Sequence, residues 1–308
     1  MGIRRVLSVD GGGVRGILPV IVMQRLSAEP GLGNWLDRTE LIAGTSTGGL
    51  IALSVAAGIP LDELHDLYVT RAGVVFKDSL LDDVRDVGKV FGADYDVANL
   101  EEEAHRVLGD RTLAELHTRV LVPTFDLDNG AATDRRWKAK LFHNFPGPDS
   151  DGDALAYRVA VATAAAPTYF ATYDGYIDGG VFATNPSMCA LAQTQDARVP
   201  ADERADLAEL RMLSLGTGHR LQYVEGDRLD WGYWQWVRPL LDLMLDGVNG
   251  IADYQCAQLL GAHYHRLAPT FPPDKSIGQD AVGEIPYLVE FANGLDLSAT
   301  ADWLRANW

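Results

Sequence analysis

Short apolar runs alternate along the chain with longer segments of helical period. Residues 5–9 read as a buried strand, and the glycine loop behind them opens an apolar helix expected over 16–26. The unit recurs: a strand over 41–43, a glycine-containing turn over 44–49, then a helix over 50–57. Residues 61–110 are rich in helix formers and charge and suit outer helices, whereas 119–126 and 140–143 alternate as strands. An alanine-rich helix over 154–166 is stopped by Pro167, a further helix starts near Pro186, and a strand over 210–215 ends in Gly216-Thr217-Gly218. Near the end, apolar residues at 240, 241, 244, 245, 248 and 251 form a helical stripe over 237–260, expected to pack against a sheet. No solenoid-period repeat and no long Pro-, Gly- or Ser-rich linker interrupts this order. Strands alternating with helices predict a three-layer α/β/α fold with a mostly parallel central sheet and its site at the strands' carboxyl ends.

Composition narrows the class. With 47% hydrophobic and 22% charged residues the chain is globular. A formal charge of −17 disfavours nucleic acid and non-specific adsorption to an anionic membrane, so a lipid surface would be met only locally and transiently. Cys189 and Cys256 stand in apolar helical stretches and are expected as two buried thiols. Met1 to Arg5 lead into a strand with no apolar signal region, and Val6 breaks the myristoylation pattern at Gly2. The stretch 154–173 is interrupted by Arg158 and Pro167, so no membrane span is expected and the cytoplasm is the expected compartment.

Two glycine motifs carry chemistry. Gly44-Thr45-Ser46-Thr47-Gly48 is a G-x-S-x-G pattern between a strand and a helix, the context in which a sharp turn presents a serine hydroxyl at the sheet edge. The alternative is a tight turn in which Ser46 only caps the helix. Gly11-Gly12-Gly13-Val14-Arg15-Gly16 also joins a strand to a helix, and consecutive glycines can aim several amides at one developing negative charge. The same hexapeptide satisfies G-x-G-x-x-G, but the next strand lacks the terminal acidic residue that a dinucleotide fold wants. His219, His263 and His265 come late enough to serve a serine as base, yet Ser46 follows too few strands for an ordinary α/β-hydrolase, and structural roles are expected for all three.

Asp10-Gly-Gly-Gly-Val-Arg-Gly16, Gly44-Thr-Ser-Thr-Gly48 and Asp178-Gly-Gly180, in this order, resemble the patatin-like phospholipase family. Ala164 to Phe170, Asn185-Pro186 and Leu213 to Gly218 extend the likeness over roughly residues 5–220 of what is expected to be one domain spanning 1–308. Residues 221–308 are expected to form a helical cover that governs substrate access or regulation. The resemblance implies a serine acyl hydrolase with a Ser46/Asp178 dyad, an oxyanion hole from Gly11, Gly12 and Gly13, a lipid or other acyl ester as substrate, and no metal or other cofactor. Acyl transfer by the same dyad, a binding protein that keeps the fold without the reaction, and a phospholipase switched on by a cyclic nucleotide remain open beside it. Arg15 would hold the glycine loop or meet a lipid phosphate. Asp10 is expected to accept backbone hydrogen bonds from the loop, and the aromatic run Trp231 to Trp236 to form a lip over the site, a core cluster or an oligomer contact.

Overall fold

A computed structural model describes residues 2–76, 95–221, 223–224 and 230–308. Strand β1 (Arg4–Val9) leads through a single 3₁₀ turn at Gly13–Gly16 into helix α1 (Ile17–Ala28). Strand β2 (Leu41–Gly44) turns directly into α2 (Thr47–Ala56), three residues earlier than the sequence pattern predicts. The short helices α3 (Leu61–Asp66) and α4 (Ala72–Val75) flank a π-helical turn at Leu67–Arg71, and α5 (Val97–Leu108) follows. Next come β3 (Arg119–Asp126), β4 (Lys138–His143), α6 (Ala156–Ala164), β5 (Tyr176–Asp178), the turn-length α7 (Gly180–Ala183) and α8 (Ser187–Thr194). Finally β6 (Leu210–Leu215), α9 (Tyr233–Leu260), β7 (Tyr264–Leu267), α10 (Ile285–Asn293) and α11 (Ser298–Asn307) complete the order.

The strands form a mixed, mostly parallel sheet in the order β4-β3-β2-β1-β6-β7. Only β4 and β5 run against their neighbour β3. Alternation along each strand explains the layers. Leu7, Val9, Ile42, Val120, Val122, Leu213 and Leu215 face one core, shared with α1, α2, α5, α6, α10 and α11. Val6, Leu41, Ala43, Leu121 and Met212 face a second core with α8 and α9. Both faces of the sheet are thus covered by helices, the α/β/α arrangement that near-continuous apolar strands demand.

One sheet detail positions the site. Along β3, β4 occupies one edge over residues 121–126, while β2 pairs only with 119–121 on the other. Residues 124–126 of that second edge are taken by β5, with Asp178 opposite Thr124. The carboxylate end of β5 therefore stands just beyond the end of β2, where the chain turns through Ser46.

Two expectations need correction. In α9, Ala252, Cys256 and Leu260 pack inward, whereas Leu240 and Ile251 at the ends of the expected stripe are about half exposed; the side chains of Leu241, Met244 and Leu245 lie outside the described residues. Cys256 is buried as expected, but Cys189 is half-buried; both thiols are free, and burial pushes them up to about 12 and about 11. The helix over 154–166 is shorter than its alanine content suggests, ending at Ala164. No described helix is long and apolar enough to cross a membrane.

Candidate active site

Ser46 is held in a strained turn. Its φ of 56° and ψ of −127° put an L residue outside the usual wells. The turn is enforced on all sides: the Ser46 amide donates to Thr163 Oγ1 at 2.9 Å, whose hydroxyl donates to Pro123 O at 2.6 Å, and the Thr45 hydroxyl donates to Ala183 O at 2.6 Å. Gly48 is required because a Cβ there would lie 2.2 Å from Val9 O, so the second glycine of the motif lets α2 press against β1. The Ser46 hydroxyl makes no cap to α2. It lies instead beside the Asp178 carboxylate, whose charged form it favours.

Asp178 is buried, and its Oδ1 accepts the Gly180 amide at 2.6 Å. Its own amide donates to Ala165 O at 2.9 Å, tying β5 to the end of α6. Burial pushes the carboxyl up to about 6, against the opposing pull of the Gly180 amide and the Ser46 hydroxyl. Among the described residues no cation contributes to that balance. A carboxylate so placed is a better base than an exposed one, and the N-terminus of α2 favours negative charge beside Ser46.

The glycine loop lies against this pair. The Gly11 amide is already engaged, donating to Thr184 O at 3.0 Å, whereas those of Gly12 and Gly13 have no protein acceptor among the described residues. Gly13 has φ +58°, and a Cβ there would stand 2.0 Å from Gln279 O. That same carbonyl accepts the Val14 amide at 2.7 Å, and the Thr217 hydroxyl donates to Gly11 O at 2.6 Å. Arg15 is buried with its guanidinium donating to Gly12 O at 3.2 Å and to Gly218 O at 3.1 Å, bracing the loop through its carbonyls. The expectation that Asp10 accepts amides of the loop does not hold. Both its oxygens take the Arg266 guanidinium, which also donates to Ser214 Oγ at 2.7 Å.

A cavity of about 800 Å³, part of it open to solvent, runs from Ser46 and Gly13 between α2, the 67–76 segment, α5 and α6. Leu50, Leu67, Val75, Phe76, Leu100 and Phe170 make it predominantly apolar. Near Gln279 it is framed by aromatic rings: Tyr95 stacks on Tyr169 at 6.4 Å and meets Phe76 edge-on at 5.3 Å, while its hydroxyl donates to Asp280 at 2.9 Å. Of its carboxylates, Glu103 is buried and bonded to Arg71 and Arg106. No histidine lines the cavity. His265 is stacked on Trp303 with Nε2 at 2.9 Å from Thr300 Oγ1, and His219 belongs to the Thr270 bridge. Among the described residues no cluster of His, Cys, Asp or Glu is arranged to hold a metal ion. Trp231 and Trp236 are half-buried, ring edge against ring at 5.3 Å; the side chains of Tyr233 and Trp234 lie outside the described residues, as do 77–94 of the expected outer helices. Sequence reasoning missed Arg266, Gln279 and Tyr68, which reach the site from distant segments without a motif of their own.

An α/β sheet with a strained serine at a strand-to-helix turn has the nucleophile-elbow geometry of acyl hydrolases. The family model for patatin-like phospholipases matches residues 7–191, more than half of the chain. A cGAMP-activated phospholipase of Pseudomonas aeruginosa is 32% identical over 277 residues, covering 88% of this chain and 80% of that one. Patatin-like protein 2 of rice, Oryza sativa, is 29% identical over 303 residues, covering 83% and 73%. Among solved structures, VipD from Legionella pneumophila aligns over 95% of this chain and 67% of its own at 12% identity, with a TM-score of only 0.40. The chain belongs to the patatin-like phospholipase family.

Proposed function

We propose that this chain is a serine lipid acyl hydrolase of the phospholipase A type, with Ser46 as nucleophile and Asp178 as its base. Asp178 takes the Ser46 proton as Oγ attacks the ester carbonyl, and the amides of Gly12 and Gly13 receive the oxyanion. The proton then passes to the departing oxygen, leaving acyl-Ser46. Water, deprotonated by Asp178, releases the fatty acid and restores the serine. No cofactor enters this scheme. The observation that carries the reading is the Ser46 hydroxyl beside a buried carboxylate that no cation among the described residues compensates, while the helix it could cap goes uncapped by it. The apolar cavity beginning at Ser46 supports an acyl chain as the group bound there.

Mixed phospholipid vesicles test it: wild type is expected to release fatty acid and lysophospholipid, read by mass spectrometry, and Ser46→Ala to release neither. Wild-type turnover by Ser46→Ala sinks the assignment. Lipid products formed in the presence of an added alcohol or amine would distinguish acyl transfer from hydrolysis. A second reading, activation by a cyclic nucleotide, is favoured by the 32% identity to the cGAMP-activated phospholipase. A silent wild type that starts to release fatty acid with one member of a cyclic dinucleotide panel would support it; activity indifferent to the panel would remove it.

A further inference from the structure

Two hydroxyl groups on the cavity wall share one hydrogen bond. Thr47, the residue after Ser46, and Tyr68, in the π-helical turn at Leu67–Arg71, are bonded oxygen to oxygen, and both line the cavity. Both residues are more than nine-tenths buried, at 8% and 6% exposure. Each hydroxyl carries one proton to donate. The shared bond uses one of the two, and among the described residues neither oxygen has another partner. Whichever oxygen donates to the other, one O–H remains without a protein acceptor, on the wall of an otherwise apolar cavity and one residue from the nucleophile. Burial pushes the Tyr68 phenol well above its ordinary range, so it keeps its proton.

The surroundings fix this pair in place. A Cβ on Gly16 would stand 2.4 Å from both the Thr47 Oγ1 and the Tyr68 oxygen, so the end of the glycine loop packs directly on the two hydroxyls. The π-helical turn is a local departure from α geometry of the kind that recurs where a side chain must be re-aimed at a site. Buried donors in folded proteins find acceptors, and here the acceptor must come from what occupies the cavity.

We infer that the Thr47–Tyr68 pair donates one hydrogen bond to an ester oxygen of the acyl substrate at Ser46, as a side-chain donor beside the Gly12 and Gly13 amides. This rests on the Ser46/Asp178 reading. The bond strengthens as negative charge gathers on the substrate oxygen in the tetrahedral intermediate. No proton is transferred through it, since Asp178 holds the one released by Ser46. In the free enzyme a water molecule can take the donor and leave when the ester binds.

Hydrogen-bond counting gives a test that a structural role cannot imitate. Tyr68→Phe leaves the Thr47 hydroxyl free to donate and Thr47→Val leaves that of Tyr68, so each single variant is expected to keep kcat within about fivefold of wild type. Thr47→Val/Tyr68→Phe removes the donor altogether, and kcat is expected to fall about 100-fold with KM unchanged within about twofold, the cost of one oxyanion donor. If the pair only braced the fold, each single variant would strand a buried hydroxyl, and the double, apolar on both sides, would be the closest to wild type. Turnover of a soluble acyl ester and melting temperature, measured across the cycle, separate the two. A double variant with wild-type kcat overturns the inference, as do single variants as slow as the double. Thr47→Ala/Tyr68→Phe removes the same donor with a smaller side chain and serves if the valine form does not fold; Thr47→Ser/Tyr68→Phe restores a hydroxyl and is expected to recover the kcat of Tyr68→Phe. Ser46→Ala runs in parallel: residual turnover there sinks the dyad, whereas a dead Ser46→Ala beside a fully active double sinks only this inference.

Discussion

Asp10 and Asp178 stand at strand ends, the first followed by three glycines and the second by two. Both carboxylates are almost completely buried, at 1% and 3% exposure. Their partners differ. Asp10 is clasped by the Arg266 guanidinium from β7, and Arg266 in turn holds Ser214 on β6. Among the described residues Asp178 has the Gly180 amide and, beside it, the Ser46 hydroxyl. Burial pushes both carboxyls above their ordinary range; at Asp10 the guanidinium opposes the push. A carboxylate whose two oxygens are both engaged by a guanidinium must give up that contact to take a proton. One left with neutral donors keeps its proton affinity, and that affinity is directed at a serine. Charge compensation thus separates a brace for the glycine loop from a base.

The largest effects should divide the two aspartates by activity. Asp178→Asn removes the proposed proton acceptor of Ser46 and is expected to lower kcat by about 10⁴-fold, as losing a member of a catalytic constellation does. Asp10→Asn/Arg266→Met replaces the clasp by neutral groups and is expected to keep kcat within about tenfold, because the loss is confined to bracing. A double variant as inactive as Asp178→Asn would place Asp10 in the chemistry. Stability should separate the members of the clasp next. Arg266→Met alone strands the Asp10 charge and is expected to cost about 3–5 kcal/mol, with most of it recovered when Asp10→Asn is added. Urea unfolding of the three proteins checks this; an Arg266→Met protein as stable as wild type would show that the buried pair contributes nothing.

The same comparison shows why part of the site was legible in the sequence. Backbone crowding leaves a signature: at Gly48 and Gly13 any side chain collides with a carbonyl, so glycine is forced and the strand–loop–helix units stand out. Consecutive glycines do not reveal which amide is free, and Gly11 spends its amide on Thr184. Nor can the tripeptide Asp-Gly-Gly distinguish its two copies, since the difference is an arginine 256 residues from Asp10. Tyr68 was hidden for another reason. It lies in a charged segment that reads as outer helix, and only a π-helical turn directs it inward. For α9 the apolar stripe did not reveal the inward-packing Ala252, Cys256 and Leu260, because alanine and cysteine add little to a hydrophobic pattern.

A smaller effect reverses the usual expectation for a buried aspartate. Asp178 has its folded-state pKa raised to about 6, above the unfolded carboxylate, so its contribution to stability is fully present below about pH 4 and is lost as pH rises through 6. At pH 7.5 the ionised carboxylate is a burden, and Asp178→Asn is expected to be more stable than wild type by about 3 kcal/mol. The gap should close towards pH 4, where the wild-type carboxyl is protonated. Thermal unfolding of both proteins from pH 4 to 8 reads it; a gap independent of pH would mean that Asp178 is not desolvated as its burial implies. Asp10→Asn, tested in the presence of Arg266, should behave in the opposite way and destabilise at pH 7.5, since it leaves the guanidinium buried without its counter-charge.

The smallest effect concerns the rate itself. Only ionised Asp178 can accept the Ser46 proton, so kcat/KM is expected to be flat above about pH 6 and to fall about tenfold per pH unit below it. The break reports the free enzyme, and the same folded-state carboxyl sets the pH above which the stability gain of Asp178→Asn over wild type stops growing. Rate and stability should therefore turn at one pH. A rate break well below the stability break would mean that the titrating base is another group. Agreement of the two would tie the weakly compensated carboxylate to the chemistry through a quantity that the clasped Asp10 does not share, because its variants lack that coincidence.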